Sequence, residues 1–152
     1  SDINSQASFR ENVMAEKNWW NLDKLEQMVE CYCLAYRNPK LEPLKISKIY
    51  YLENKWNEQW PNADSAGVYA IFGKSGLLYI GKASLKNSIG NRLADYFEQG
   101  NDGNNFAKKK HNWSDDPTYF VTIATRLSWE APALEEFLIL QAKPVDNTIG
   151  NK

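Results

Sequence analysis

The spacing of apolar positions changes along the chain, and each spacing predicts a different element. Leu22, Leu25, Met28, Val29, Tyr32 and Tyr36 recur at helical intervals, which predicts an amphipathic helix over 22–36. Asn21 suits its N-cap, and Arg37-Asn38 end it before Pro39. Residues 39–43 read as a connector. Ile49, Leu52, Trp56 and Trp60 keep a helical spacing and predict a second helix within 46–60, with Ile49-Tyr50-Tyr51 leaving a strand as the lesser option. A turn-rich link at 61–65 follows. Gly67–Phe72 and Leu77–Lys82 are two short runs rich in β-formers around Gly73-Lys74-Ser75-Gly76, a β-hairpin signature. Ser88 caps a short helix expected to reach Phe97, with Arg92 and Tyr96 on one face. Residues 98–113 are polar and predict a long loop or a poorly formed helix. Thr118–Leu127 reads as a third strand. Ser128–Ala142 reads as a helix that tolerates Pro132 in its first turn. Lys143-Pro144 end it and leave a short, extended tail through Asn147 and Ile149.

Parity constrains the hairpin, because side chains alternate faces along a strand. Tyr69 and Tyr79 share a face only if they pair directly or through an even offset. Direct pairing leaves Gly73, Lys74 and Ser75 as the loop and puts Val68, Ala70, Phe72, Leu78 and Ile80 toward the core. A plain two-residue turn at Lys74-Ser75 would separate the tyrosines. The expectation is therefore the longer loop or an equivalent bulge.

With 152 residues, 43 % of them apolar and 24 % charged, the chain can bury a core and is not a disordered tail. Its net charge of −1 argues against a strongly basic nucleic-acid binder. The distribution changes that picture: residues 65–94 hold Lys74, Lys82, Lys86 and Arg92 and no acid, and Lys108, Lys109, Lys110 and His111 form a second cluster. A local positive patch suits a phosphate backbone. Residues 1–64 carry eight basic and ten acidic side chains, so they are not a DNA-binding arm. Their apolar stripe is expected to pack on the hairpin region, and a partner-binding surface is the minority alternative. Cys31 and Cys33 point apart on a helix and read as reduced core or near-core thiols. No apolar run is long enough to span a bilayer, and the first ten residues lack a signal-peptide pattern. The expected location is cytoplasmic or nucleoid-associated, with a secreted effector left open.

By residue type alone the chemistry is undecided. Glu135 and Glu136 are both ordinary helical acids, Arg92 reads as a surface arginine, and Tyr69 and Tyr79 read as sheet aromatics. His111 has no Cys or His at ligand spacing, so no zinc site is supported. The Gly73-Lys74-Ser75 segment has no nucleotide-loop spacing or following helix.

The order of motifs is more specific. Gly67-Val68-Tyr69 and Tyr79-Ile80-Gly81, followed by Lys82, Arg92, Tyr96, the helical Glu135 and Pro144-x-x-Asn147, resemble the GIY-YIG nuclease family over residues 67–149. Val68 replaces the usual isoleucine, and nine residues separate the triplets, slightly fewer than is common. Combined with the predicted elements, the resemblance implies an α+β fold: a small, mostly antiparallel three-stranded sheet flanked by helices, as a nuclease domain over 65–152 with a helical N-terminal extension over 1–64. It implies a metal-dependent endonuclease that hydrolyses phosphodiester bonds, with DNA preferred over RNA, and one divalent cation, Mg²⁺ ahead of Mn²⁺, held by Glu135. Arg92 becomes the phosphate clamp, Tyr69 the general base with Tyr79 orienting it, and Lys82 added positive charge. The two tyrosines can exchange roles, or Lys82 can take the proton. A phenol near its ordinary pKa is a poor base, so this assignment needs an electropositive setting. Tyr96 would hydrogen-bond a phosphate oxygen or the attacking water, and Asn147 would brace the site from the tail. Lys86, Lys108, Lys109, Lys110 and His111 are the candidate phosphate contacts. The six tryptophans read as core and interdomain packing before a stacking platform, with Trp113 in the polar segment as the one candidate base contact. The rivals are an inactive nucleic-acid-binding module of the same fold and a protein-interaction domain organised by residues 1–64.

Overall fold

A computed structural model describes residues 19–53, 58–99, 105–107 and 111–150. The first helix, α1 (Leu22–Tyr36), starts where Asn21 Oδ1 accepts a hydrogen bond from the Lys24 N–H at 2.8 Å. This pairing satisfies one of the amide donors left free in a helix's first turn. Leu25, Val29 and Tyr32 form the buried stripe of α1, as their spacing predicts.

Residues 46–53 do not form the expected helix. Ile46 bridges Ile123, and β1 (Tyr50–Tyr51) pairs antiparallel with β6 (Pro117–Ala124). The reason lies in β6, whose outer backbone groups need partners. Ser47 N–H donates to the Thr122 carbonyl at 2.8 Å, and the Thr122 N–H donates to Ser47 Oγ at 2.9 Å. Ile49 then packs toward one core and Tyr50 toward the other, an alternation that a strand supplies. Trp56 lies outside the described residues.

The main sheet has four antiparallel strands in the order β1-β6-β2-β3, with β2 at Gly67–Gly73 and β3 at Gly76–Ala83. The expectation of three strands missed β1. The hairpin keeps its tyrosines on one face through a bulge. Tyr69 opposes Gly81 and Ile71 opposes Tyr79; a register shift then brings Phe72 opposite Leu77 and leaves a two-residue turn at Lys74-Ser75. The shift also replaces Leu78 with Leu77 beside Phe72 in the core.

Both faces of β2 are covered, and all seven of its residues are buried. On one face α1 and α3 (Glu130–Ala142) bury Leu25, Val29, Leu134 and Leu138 against Val68, Ala70, Phe72, Ile80, Val121 and Ile123. On the other, Tyr69, Ile71 and Phe120 meet Tyr50, Leu52, Tyr96, Phe97 and the short helix α2 (Ile89–Leu93) through Ile89 and Leu93. The guanidinium of Arg37 fastens α1 to the start of α3. It donates to both Glu130 oxygens, at 2.8 and 3.1 Å, and to the Glu42 carbonyl; the Tyr32 hydroxyl adds a bond to Glu130 at 3.3 Å.

Three further expectations are corrected. Helix α2 stops at Leu93, and Phe97 instead opens β4 (Phe97–Gln99), which pairs with β5 (Asn105–Ala107) inside the segment expected to be a loop. The tail is helical, α4 (Val145–Gly150), because Lys143 turns the chain in the left-handed region at φ 47° after α3. Cys31 is exposed; Cys33 is partly buried, and both are free. Among the described residues no helix is long and apolar enough to cross a membrane.

Candidate active site

The site gathers at the edge strand β3. The Ile80 backbone faces away from β2, where an unpaired N–H and carbonyl would be exposed or orphaned. Asn147 on α4 satisfies both: Oδ1 accepts from the Ile80 N–H and Nδ2 donates to the Ile80 carbonyl, each at 2.8 Å. Asn147 is 4 % exposed, so these are buried bonds. Asp146, its neighbour, accepts from the Ser114 hydroxyl at 2.6 Å and from the Ser114 N–H, which ties the 111–116 segment to α4. Asn147→Leu keeps the branched shape but leaves two buried backbone groups unpaired. It should destabilise the protein by about 2–4 kcal/mol in denaturant unfolding.

Gly81 has a steric purpose. A Cβ built on it would lie 2.3 Å from Tyr69 Cζ and Oη. The Tyr69 phenol therefore occupies the space a side chain would take, directly across the strand pair. Tyr69 is fully buried, and its hydroxyl has no hydrogen-bond partner among the described residues. Three phenols meet there, with ring centroids 6.3 Å apart for Tyr69 and Tyr79, 6.0 Å for Tyr69 and Tyr96, and 5.5 Å for Tyr79 and Tyr96. The Tyr96 hydroxyl donates to Tyr79 Oη at 3.2 Å. Tyr79 is only partly buried and is the most open of the three.

Arg92 comes from α2, which Ser88 caps by accepting the Asn91 N–H at 3.2 Å. Its guanidinium lies 3.5 Å from Asp95, and its charge acts on Tyr69 and Tyr79. Lys82 Nζ donates to Ser84 Oγ at 3.0 Å. Glu135 projects from the middle of α3, half-buried, and its carboxylate has no hydrogen-bond or ion-pair partner among the described residues. Burial pushes the Glu135 carboxyl above its ordinary range; Lys82 and then Arg92 pull it back, and Glu136 adds to the rise. Glu136 itself is exposed. Burial also raises the Tyr69 phenol, reinforced by Tyr96 and Tyr79 and opposed by Arg92. Tyr79 is raised by burial first, then by Tyr96 and Glu135, again against Arg92. In the metal-free chain desolvation outweighs the charge of Arg92, so both phenols stay protonated at neutral pH.

The residues Tyr69, Tyr79, Lys82, Arg92, Tyr96, Glu135 and Asn147 thus arrive from β2, β3, α2, the turn after it, α3 and α4. Lys86 is exposed on the turn after β3. His111 stacks on Tyr96 at 4.6 Å, and its Nε2 lies 2.8 Å from the Asp95 carbonyl. Lys108, Lys109 and Lys110 lie outside the described residues. Trp113 packs edge-on against Tyr79 and stacks on Phe97, so it walls the aromatic cluster. Asp95 and Ser84, the partners of the two cations, were missed, although Asp95 stands three residues after Arg92, a readable helical ion-pair spacing.

Among the described residues no group of three or more His, Cys, Asp or Glu side chains could hold a metal ion. A single hard cation does not require one, because Mg²⁺ commonly binds one carboxylate and takes its remaining oxygens from water and phosphate. The unpartnered carboxylate of Glu135 fits that demand. Comparison with protein-family models, curated proteins and solved structures finds no match to this chain.

Proposed function

We propose that the chain is a metal-dependent phosphodiesterase that cleaves nucleic acid internally, DNA in preference to RNA. The observation that carries this proposal is Glu135: a half-buried carboxylate with no hydrogen-bond or ion-pair partner among the described residues, within the electrostatic reach of Lys82, Arg92 and the Tyr79 phenol. A structural helix has no use for that arrangement, because desolvating an unpaired carboxylate is unfavourable. A phosphodiester site needs a cation-binding oxygen beside groups that recognise a dianionic transition state.

Glu135 is the residue that would hold Mg²⁺, or Mn²⁺ in its place. Bound there, the cation would supply positive charge against the charge that develops in phosphoryl transfer. The chain's own groups position the rest. Arg92 exchanges Asp95 for two phosphate oxygens, which its fork engages with fixed geometry. Lys82, held by Ser84, adds positive charge at the end of β3. Tyr79 remains protonated; it orients the attacking water or donates to the phosphate, and Tyr96 sets its direction. Tyr69 is enclosed behind Gly81 and acts as a positioning residue. Asn147 fixes the strand that carries Tyr79 and Lys82.

The test is incubation of the full chain with labelled single- and double-stranded DNA and RNA, with Mg²⁺ and with EDTA. Internal cleavage that disappears in EDTA is expected. Intact polymers under every condition would remove the enzyme assignment and leave the nucleic-acid-binding or protein-interaction alternatives. The latter has one supporting feature, an apolar groove of about 730 Å³ on α1 and the following connector, lined by Cys33, Leu34 and Leu41.

A further inference from the structure

The turn that joins β3 to α2 is built at some cost. The Ser84 carbonyl accepts from the Asn87 N–H at 3.1 Å and closes a tight turn with Leu85 and Lys86 at its tip. Leu85 sits in the left-handed region at φ 60°, where its Cβ crowds the carbonyl and where glycine, asparagine or aspartate is the unstrained choice. No burial offsets that strain, because Leu85 is 85 % exposed. The turn is also not loose. Ser84 is buried and bonded to Lys82 Nζ, and Ser88 at the other end caps the helix that carries Arg92. A bulky apolar side chain is thus held out in water on a rigid turn anchored to both cationic groups of the candidate site.

On the nuclease reading above, we propose that Leu85 is a wedge that enters the base stack of a duplex next to the scissile phosphate, with Lys86 on the neighbouring backbone. Leucine is among the side chains that partly unstack a base step and kink the duplex. Leu85 follows Lys82 by three positions, a backbone reach of at most about 10 Å, or roughly three base steps. The wedge therefore acts within about three base steps of the cleaved phosphate. It favours duplex steps that unstack easily, such as pyrimidine–purine steps, mismatches and junctions, over stiff tracts. Specificity of this kind needs no separate sequence-reading domain.

The experiment uses the full chain and DNA duplexes carrying 2-aminopurine near the cleavage position, whose fluorescence rises on unstacking. Wild type is compared with Leu85→Gly, Leu85→Asn, Leu85→Phe and, as a distant exposed control, Leu34→Ala. Leu85→Gly and Leu85→Asn should melt at or above the wild-type temperature, because both relieve the backbone. They should nevertheless weaken duplex binding about tenfold, lose the fluorescence rise, and cleave mismatched and matched duplexes alike. Leu85→Phe should retain the signal, and Leu34→Ala should match wild type. Equal affinity, fluorescence and mismatch preference in wild type and Leu85→Gly, with cleavage intact in both, would overturn the wedge and leave the nuclease standing. Failure of the wild type to bind or cut any nucleic acid would overturn both.

Discussion

Glu135→Gln should lower nucleic-acid cleavage by about a thousandfold or more and leave the protein folded. The amide keeps the shape of the side chain and removes the negative oxygen. The stability effect has a definite sign. Burial raises the Glu135 pKa above its unfolded value, so the folded chain holds the proton more tightly than the unfolded chain. The resulting stabilisation is present at low pH and is lost as pH rises through the raised folded value. At neutral pH the buried carboxylate is a liability, and Glu135→Gln should melt at or above the wild-type temperature without metal. Mg²⁺ should then raise the melting temperature of the wild type and not of the variant, because a ligand stabilises only the state that binds it. Mg²⁺ binding to the wild type should weaken as pH falls through the raised titration range of Glu135, because the cation needs the ionised carboxylate. A variant that cleaves as fast as the wild type would remove Glu135 from the site. A wild type whose stability ignores Mg²⁺ would remove the cation from Glu135.

Periodicity made the fold's longer elements readable. The limits of α1 follow from an uninterrupted stripe between Asn21 and Pro39, and β2, β3 and β6 from runs of β-formers with glycine or charge at their ends. The failures share a cause. Ile49, Leu52, Trp56 and Trp60 satisfy a helical spacing, yet 46–51 is extended because β6 offers an edge whose amides must be paired. That demand arises in a strand about seventy residues away and is absent from the local pattern. Gln99 and Asn105 likewise carry no β signal of their own, and their strands exist only as a pair. The α4 helix depends on the left-handed turn at Lys143 and on the docking of Asn147 against Ile80, which no periodicity encodes.

The candidate site was legible as a list and not as an environment. The order of Tyr69, Tyr79, Lys82, Arg92, Tyr96, Glu135 and Asn147 carried the resemblance, and the chain does bring them to one strand edge. A tyrosine base needs Lys82, Arg92 and a bound cation together to favour the phenolate. Enclosure works against it: Tyr69 is fully buried, and in the metal-free chain desolvation outweighs Arg92. Burial depends on what covers a residue from other elements, here Tyr96, Leu93 and the space above Gly81, so it could not be read from Gly67-Val68-Tyr69 itself.

Gly81→Ala should cost about 3 kcal/mol, or roughly 10 °C in melting temperature for a chain of this size. A new Cβ would stand 2.3 Å from the Tyr69 ring, closer than any real contact, and the ring has nowhere to go because Tyr69 has no exposed surface. Either the hairpin opens or the ring swings into Tyr79 and Tyr96. A displacement of about 1 Å at Tyr79 should lower cleavage by about a hundredfold even where the variant stays folded. A double-mutant cycle isolates the contact. Tyr69→Leu removes the ring and should relieve most of the Gly81→Ala penalty, so the pair is less destabilised than the sum of its members. Tyr69→Phe should give no relief, because Cζ remains in place. Additive effects for Gly81→Ala with Tyr69→Leu would show that Gly81 is needed for its backbone alone. Strong coupling would establish that the glycine in Tyr79-Ile80-Gly81 is there to admit the tyrosine of Gly67-Val68-Tyr69, and that the two triplets form one packed unit.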